Sequence, residues 1–280
     1  MLVFNRPAEL SGHLQNAQKG TIGFVPTMGA LHDGHLSLLN FSLSQNDLTV
    51  ISIFVNPTQF NNADDLAHYP RTLQADLDKI EKLNKDIIVF APNVKDMYGD
   101  AAKADKYRFG GLENEMEGRF RQGHFNGVAT IVRRLFEIVN PTRAYFGEKD
   151  FQQLQIVRSL VERHNLPVQI VGCPIYREEN GLAMSSRNER LTADQRSRAS
   201  VIYRALQRAQ AGFLTESTQK IRHVVGQMIA SEPGFTLEYF EVADEKTLRP
   251  AVRKSKKKKY RAFIAVLVNN VRLIDTIALN

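Results

Sequence analysis

Through roughly the first 170 residues, short apolar runs at 21–26, 48–55, 86–90, 143–146 and 167–172 alternate with stretches of another kind. In those stretches, at 35–43, 72–83, 128–139 and 152–163, apolar residues recur at three- and four-residue spacing. Runs of four to eight apolar residues suit strands covered on both faces, whereas the three-and-four spacing suits helices with one buried side. Strands regularly separated by helices pair in parallel, because each helix supplies the crossover. The expected fold class is α/β, with a Rossmann-like parallel sheet in the N-terminal part.

Beyond Cys173 and Pro174 the pattern changes. Helical spacing at 192–214 and 216–231 is followed by strand-like runs at 237–242, 260–268 and 271–278. Asn269 and Asn270 separate the last two runs, and a two-residue asparagine turn predicts a tight antiparallel hairpin. A boundary is therefore expected near 173–180, dividing a domain at 1–175 from a smaller α+β lid domain at 176–280. Residues 92–127, rich in glycine and charge, fit neither a long helix nor a passive connection, and a functional loop region is expected there.

Composition narrows the function classes. The net charge of +7 resembles a nucleic-acid signal until it is located. Arg253, Lys254, Lys256, Lys257, Lys258, Lys259 and Arg261 form one basic run at 253–261, and outside it acids and bases balance. Such a run is an RNA-binding patch or a solvated connection between strands; the second is the expectation, and with it no nucleic-acid partner. Nothing approaches the roughly 20 apolar residues that span a bilayer, and the start MLVFNRPAEL lacks a signal peptide's basic and apolar parts. No membrane partner and a cytoplasmic location are expected. Cys173 is the one cysteine, so neither an intrachain disulfide nor a multi-thiolate zinc site is available.

Four segments carry the chemistry. In the first, the strand ending at Pro26 runs through Thr27, Met28, Gly29, Ala30, Leu31, His32, Asp33, Gly34 and His35 into a helix opening near Asp33. Open α/β sheets bind ligands at such strand ends, where the next helix presents unpaired N–H groups to phosphate. His32 and His35 share a helix face, so both can donate to phosphate oxygens; a structural pair or two zinc ligands is the alternative. In the second segment, Asn56 and Gln59 follow a strand, where a carboxamide can bind hydroxyl or carboxylate groups. In the third, Gly147, Glu148, Lys149 and Asp150 join a strand to a helix that carries Gln153. Lys149 offers a point charge to phosphates, and Asp150 alternatively caps the helix. In the fourth, Met184, Ser185, Ser186 and Arg187 lie at the expected domain junction, as a closing loop or an ordinary serine-rich one.

Taken in order, PTMGALHDGH, FVNPTQF, GHFNGV, FGEKDFQQL and MSSRN resemble the pantothenate synthetase family over about residues 24–190. The histidine segment by itself is similar to the wider HIGH-type nucleotidyltransferase superfamily, which includes class I aminoacyl-tRNA synthetases. The resemblance implies a ligase joining pantoate to β-alanine through an adenylate, with ATP as substrate, Mg²⁺, and a homodimer. It implies that residues 26–35, 147–150, 184–187 and Tyr176 bind ATP. By the same resemblance Gln59, Gln153 and Met28 hold pantoate, and Gln59, Arg121 and His124 receive β-alanine. His35, His32, Lys149 and Arg187 would be catalytic. The chain reads MSSRN where relatives in the superfamily carry KMSKS, which puts Arg187 in place of a lysine.

Overall fold

A computed structural model describes residues 1–17, 20–61 and 63–280. The chain divides into two compact units. One comprises Met1–Glu113, Glu117–Gly147 and Gln153–Cys173; the other comprises Asn114–Met116, Glu148–Gln152 and Pro174–Asn280.

The first unit holds a parallel six-stranded sheet of β1 (Leu2–Phe4), β2 (Ile22–Thr27), β3 (Leu48–Ile53), β4 (Ile88–Phe90), β5 (Arg143–Gly147) and β6 (Gln169–Cys173). Their order is β1-β4-β3-β2-β5-β6. Five strands coincide with the apolar runs, while β1 is a three-residue edge strand paired to β4 that the apolar pattern does not reveal. The helices are α1 (Pro7–Asn16), α2 (Asp33–Gln45), α3 (Ala63–Ala67), α4 (Leu73–Leu83), α5 (Val94–Tyr98), α6 (Glu117–Phe120), α7 (His124–Val139) and α8 (Phe151–His164).

Both sheet faces are covered, which explains why the strands read as unbroken apolar runs. Val25, Ile51, Val89 and Tyr145 pack with Leu38 and Leu39 of α2 and Ile80 of α4. Phe24, one residue out of phase on β2, meets the edge of Phe136 of α7 with ring centroids 6.3 Å apart. β2 pairs with β3 on one side and β5 on the other, so the strand order reverses around β2. Such a reversal opens a crevice beyond the carboxyl ends of the strands. The first three chemical segments all leave those ends.

α7 starts four residues earlier than its apolar spacing indicates, because Gly127 lies inside the helix rather than before it. The helix backbone passes against the 3₁₀ turn Pro57–Gln59: a Cβ at Gly127 would lie 2.2 Å from the Thr58 carbonyl oxygen. Close approach is the compensation for a glycine that otherwise weakens a helix by about 1 kcal/mol. Residues 92–127 contain α5, a 3₁₀ turn at Leu112–Asn114, α6 and the first turn of α7, and backbone N–H groups of the irregular part are held by side chains of α7. The Asp105 N–H donates to Thr130 Oγ1 (2.8 Å) and the Tyr107 N–H to Asn126 Oδ1 (3.0 Å).

In the second unit α9 (Ala193–Arg198), α10 (Ser200–Gly212) and α11 (Thr218–Ala230) precede an antiparallel sheet of β7 (Phe235–Asp244), β8 (Tyr260–Val268) and β9 (Val271–Ala278). Ile202 and Leu206 of α10 and Val225 and Ile229 of α11 pack with Phe240, Ile264 and Leu273 of the strands. The asparagine hairpin joins β8 to β9, with Asn269 at φ 50° and Val268 opposite Val271. The basic run belongs to the connection from β7 to β8 and into β8. Within it the Lys254 amine lies on the carbonyls of Phe213 and Glu216, and Lys258 pairs with Asp244 at 3.3 Å.

Candidate active site

In the first unit, the chain turns sharply as it leaves β2. Gly29 (φ 85°) and Ala30 (φ 49°) are both left-handed, and a side chain at Gly29 would crowd Ile53 and Asp76 at about 3 Å. Asp76, 1% exposed, holds this loop: its carboxylate accepts from the N–H groups of Ala30 (2.9 Å) and Leu31 (2.7 Å) and from the Thr72 hydroxyl (3.3 Å). The Lys79 amine donates to the Leu31 carbonyl from one turn further along α4. A buried carboxylate is tolerated where N–H donors satisfy it, and here those donors are the loop itself.

His32, in extended conformation, is the N-cap of α2. Its backbone N–H donates to His35 Nδ1 at 3.4 Å. A ring nitrogen that accepts carries no proton, so neutral His35 bears its hydrogen on Nε2. The two imidazoles stack, with centroids 4.0 Å apart and planes 27° from parallel. In-plane lone pairs of nearly parallel rings run side by side, whereas two zinc ligands must converge on one ion at about 2.1 Å. The geometry suits paired donation to one polyanion better than joint chelation. Among the described residues, no group of three or more His, Cys, Asp or Glu is arranged to hold a metal ion.

The second segment is organised by Asn56, 1% exposed. Its Oδ1 accepts from the hydroxyls of Tyr98 (2.6 Å) and Thr58 (3.0 Å), and its Nδ2 donates to Gln59 Oε1 and the Gly127 carbonyl, both at 3.1 Å. Burial pushes the Tyr98 hydroxyl above its ordinary pKa, keeping it a donor. The Gln59 amide nitrogen points to Met28 Sδ at 3.0 Å, so the carboxamide is gripped at both ends. His124 Nδ1 lies 2.8 Å from the Gln59 carbonyl, which can only accept, so that nitrogen carries the proton. A cavity of about 240 Å³ opens beside this group, lined by Gln59, Phe60, Lys106, Gln122, His124 and Asn126 among others. Arg121 ends the turn before α7, its carbonyl accepting the His124 N–H at 3.1 Å. Met28, His32, His35, Gln59, Arg121 and His124 thus belong to one unit. Gln153 lies in the first turn of α8 in the same unit.

In the second unit, Glu148–Asp150 form a 3₁₀ turn that runs directly into α8, with Asp150 inside the turn. A Cβ at Gly147, just before it, would meet nothing within 4 Å, so neighbouring side chains do not account for the glycine. The 184–187 loop is fixed at both ends. The Met184 N–H donates to the Tyr176 carbonyl at 3.0 Å, while the Tyr176 side chain remains 43% exposed. Ser185 Oγ accepts the Arg187 N–H at 3.3 Å, opening the 3₁₀ turn Ser186–Arg190.

Asn188, the last residue of MSSRN, and residues outside the recognisable segments hold that loop. Asn188 Nδ2 donates to Glu178 Oε1 (2.6 Å) and to the Ala183 carbonyl (3.2 Å), and Glu178 is doubly hydrogen-bonded by Arg196. Arg177 makes two bonds to the Asp275 carboxylate, at 2.7 and 3.1 Å, and lies 3.8 Å over the Tyr203 ring. Burial pushes the Asp275 carboxyl above the usual carboxylate range, and the Arg177 guanidinium opposes that shift.

A doubly wound parallel sheet with a histidine pair at the helix start beyond its reversal point defines an α/β protein built to bind a phosphate-bearing ligand. Within that class, the chain belongs to the pantoate-beta-alanine ligase family, whose sequence model matches residues 2–278. It is 56% identical over 281 residues to the pantothenate synthetase of Flavobacterium psychrophilum, covering 100% of both chains. Its structure is similar to that of pantothenate synthetase from Thermus thermophilus, with a TM-score of 0.92, 39% identity and coverage of 100% and 99%. A Francisella tularensis pantoate-beta-alanine ligase, solved in complex with beta-gamma ATP and beta-alanine, matches with a TM-score of 0.82 and 34% identity, covering 100% and 98%.

Proposed function

We infer that this protein condenses pantoate with β-alanine at the expense of ATP, giving pantothenate, AMP and pyrophosphate for coenzyme A synthesis. The observation that carries the reading is the pair of organised groups in the first unit. A stacked histidine pair at a helix N-terminus suits an α-phosphate, and a carboxamide gripped between Asn56 and Met28 suits a small hydroxy acid.

In the first step a pantoate carboxylate oxygen attacks the α-phosphorus of MgATP. The bond from that phosphorus to the bridging oxygen breaks, and pyrophosphate leaves with the electron pair. The product is pantoyl adenylate, a mixed anhydride. In the second step the β-alanine amine attacks the acyl carbon, the carbon–oxygen bond to AMP breaks, and the amine proton is lost to solvent or base.

The first step brings an anion onto a polyanion, so positive charge and N–H donors must meet the α-phosphate as charge builds there. His35 and His32 donate from their rings, residues 26–35 supply the helix N-terminus, and Lys149 and Arg187 supply charge. Residues 147–150, Tyr176 and 184–187 complete nucleotide binding. Gln59, Gln153 and Met28 hold pantoate, while Gln59, Arg121 and His124 receive β-alanine. Magnesium accompanies ATP as its phosphate-bound counterion and neutralises charge on the leaving pyrophosphate. A cytoplasmic site of action, where ATP is available, and a homodimeric assembly belong to the same reading.

Mixing the purified protein with MgATP, pantoate and β-alanine, and omitting one substrate at a time, tests it. AMP and pantothenate are expected together and only in the complete mixture. Intact ATP throughout would leave a nucleotide-binding protein without this activity.

A further inference from the structure

Lys149 reaches its position through a turn of only three residues, and that turn is gripped from the antiparallel sheet of its own unit. The residue that grips it is Arg261 on β8, 5% exposed. Arg261 Nη2 donates to Glu148 Oε2 at 3.1 Å, and Arg261 Nε donates to Glu245 Oε1 at 2.9 Å. The face of the same guanidinium lies 4.0 Å over the ring of Phe151, which itself packs on Phe263 of β8 with centroids 6.0 Å apart. Glu148 and Phe151 bracket Lys149 in the chain. One planar cation therefore holds the residue before Lys149 by its edge and the first residue of α8 by its face, while Glu245 fixes its rotation. Only a guanidinium combines a stacking plane with donors in two directions, so a lysine at 261 would keep the charge but not the grip. β9, the neighbouring strand, also packs against this turn.

We propose that Arg261 is a positioning residue for adenylate formation, acting through Glu148 and Phe151 to set the place of the Lys149 ammonium. The proposal rests on the reading of Lys149 as a nucleotide contact. A misplacement of about 1 Å in a group that meets the transition state costs on the order of 100-fold in rate, so the grip has a measurable consequence.

The test measures pyrophosphate release from MgATP and pantoate over a range of ATP concentrations, together with melting temperature and the KM for β-alanine in the complete reaction. Arg261→Met removes the whole grip. Glu148→Gln weakens one arm while leaving the Glu245 and Phe151 contacts of Arg261 in place, and so decides the matter if the first variant does not fold. Each is expected to lower kcat/KM for ATP by about 10- to 100-fold, with the β-alanine KM unchanged. Because Glu148→Gln acts on a contact that Arg261→Met already removes, the double variant should be no slower than the slower single one. In a Lys149→Ala background Arg261→Met should add no further loss.

A purely structural Arg261 would lower the melting temperature and leave kcat/KM for ATP near normal below it. That result, or losses that multiply in the Lys149→Ala background, overturns the proposal. Full adenylation by Lys149→Ala itself removes the underlying reading instead. A slow Lys149→Ala enzyme beside fast Glu148→Gln and Arg261→Met enzymes removes only the positioning role.

Discussion

Lys149→Ala is expected to fold normally and to form adenylate about 10²–10³-fold more slowly than the unaltered protein. The fold should survive because the anchors of the 148–150 turn are its neighbours. Glu148 is tied to Arg261, and Phe151 lies beneath the same guanidinium. Loss of the Lys149 amine removes no contact from that grip. β9 packs against the 148–150 turn, and the Lys149 charge favours the carboxylate form of Asp275 on that strand. Pantoate and the triphosphate are both anions, and their approach becomes harder with each cation withdrawn. The loss should therefore appear in pyrophosphate release with pantoate present, before β-alanine takes any part. Near-normal release from a folded Lys149→Ala protein would contradict the role.

Gly127→Ala is expected to destabilise the protein by about 1–3 kcal/mol and to weaken pantoate binding together with it. The added methyl group would sit 2.2 Å from the Thr58 carbonyl oxygen and 2.6 Å from the Gln59 nitrogen. Backbone cannot rotate away as a side-chain tip can, so either α7 or the Pro57–Gln59 turn must move. Such a shift pulls on the Asn56 bonds to Gly127 and Gln59, and hence on the orientation of the Gln59 carboxamide. Denaturant unfolding reads the first effect and the KM for pantoate the second. Unchanged values in both would mean that α7 and the turn are less tightly matched than their separation indicates.

How far the sequence carries can be judged from these same residues. Strands covered on both faces read as apolar runs, so five of the six parallel strands and the class of the fold are legible. β1 is not, because three residues carry no periodicity and its pairing with β4 lies more than 80 residues away. Gly127 and Asn126 resemble turn punctuation, and the start of α7 is misplaced accordingly; only the close passage over Thr58 explains a glycine inside that helix. The chemical segments stand out because glycine, histidine and amide residues interrupt apolar strand ends.

The residues that hold those segments are far less visible. Asp76 and Asp275 do leave a trace: each is an acid at an inward position of an otherwise apolar pattern, one on α4 and one on β9. A buried acid at such a position demands partners and so marks something beyond packing. Asn56 sits within a recognisable segment, yet its role in orienting Gln59 depends on Tyr98 and Gly127, which are distant in the chain. Arg261 is hidden within the basic run, where its neighbours 256–259 are exposed and it alone is almost wholly buried. Charge patterning cannot separate a solvated lysine from a buried arginine when they are adjacent in sequence. Tertiary contact decides which is which.

The most direct test of the reaction follows the oxygen atoms. Pantoate carrying oxygen-18 in its carboxylate is incubated with the protein, MgATP and β-alanine, and the products are weighed by mass spectrometry. If the carboxylate attacks the α-phosphorus, one labelled oxygen must leave with AMP and the other must remain in the amide carbonyl of pantothenate. Unlabelled AMP formed alongside pantothenate would contradict the adenylate and with it the roles given to the histidine pair and Lys149.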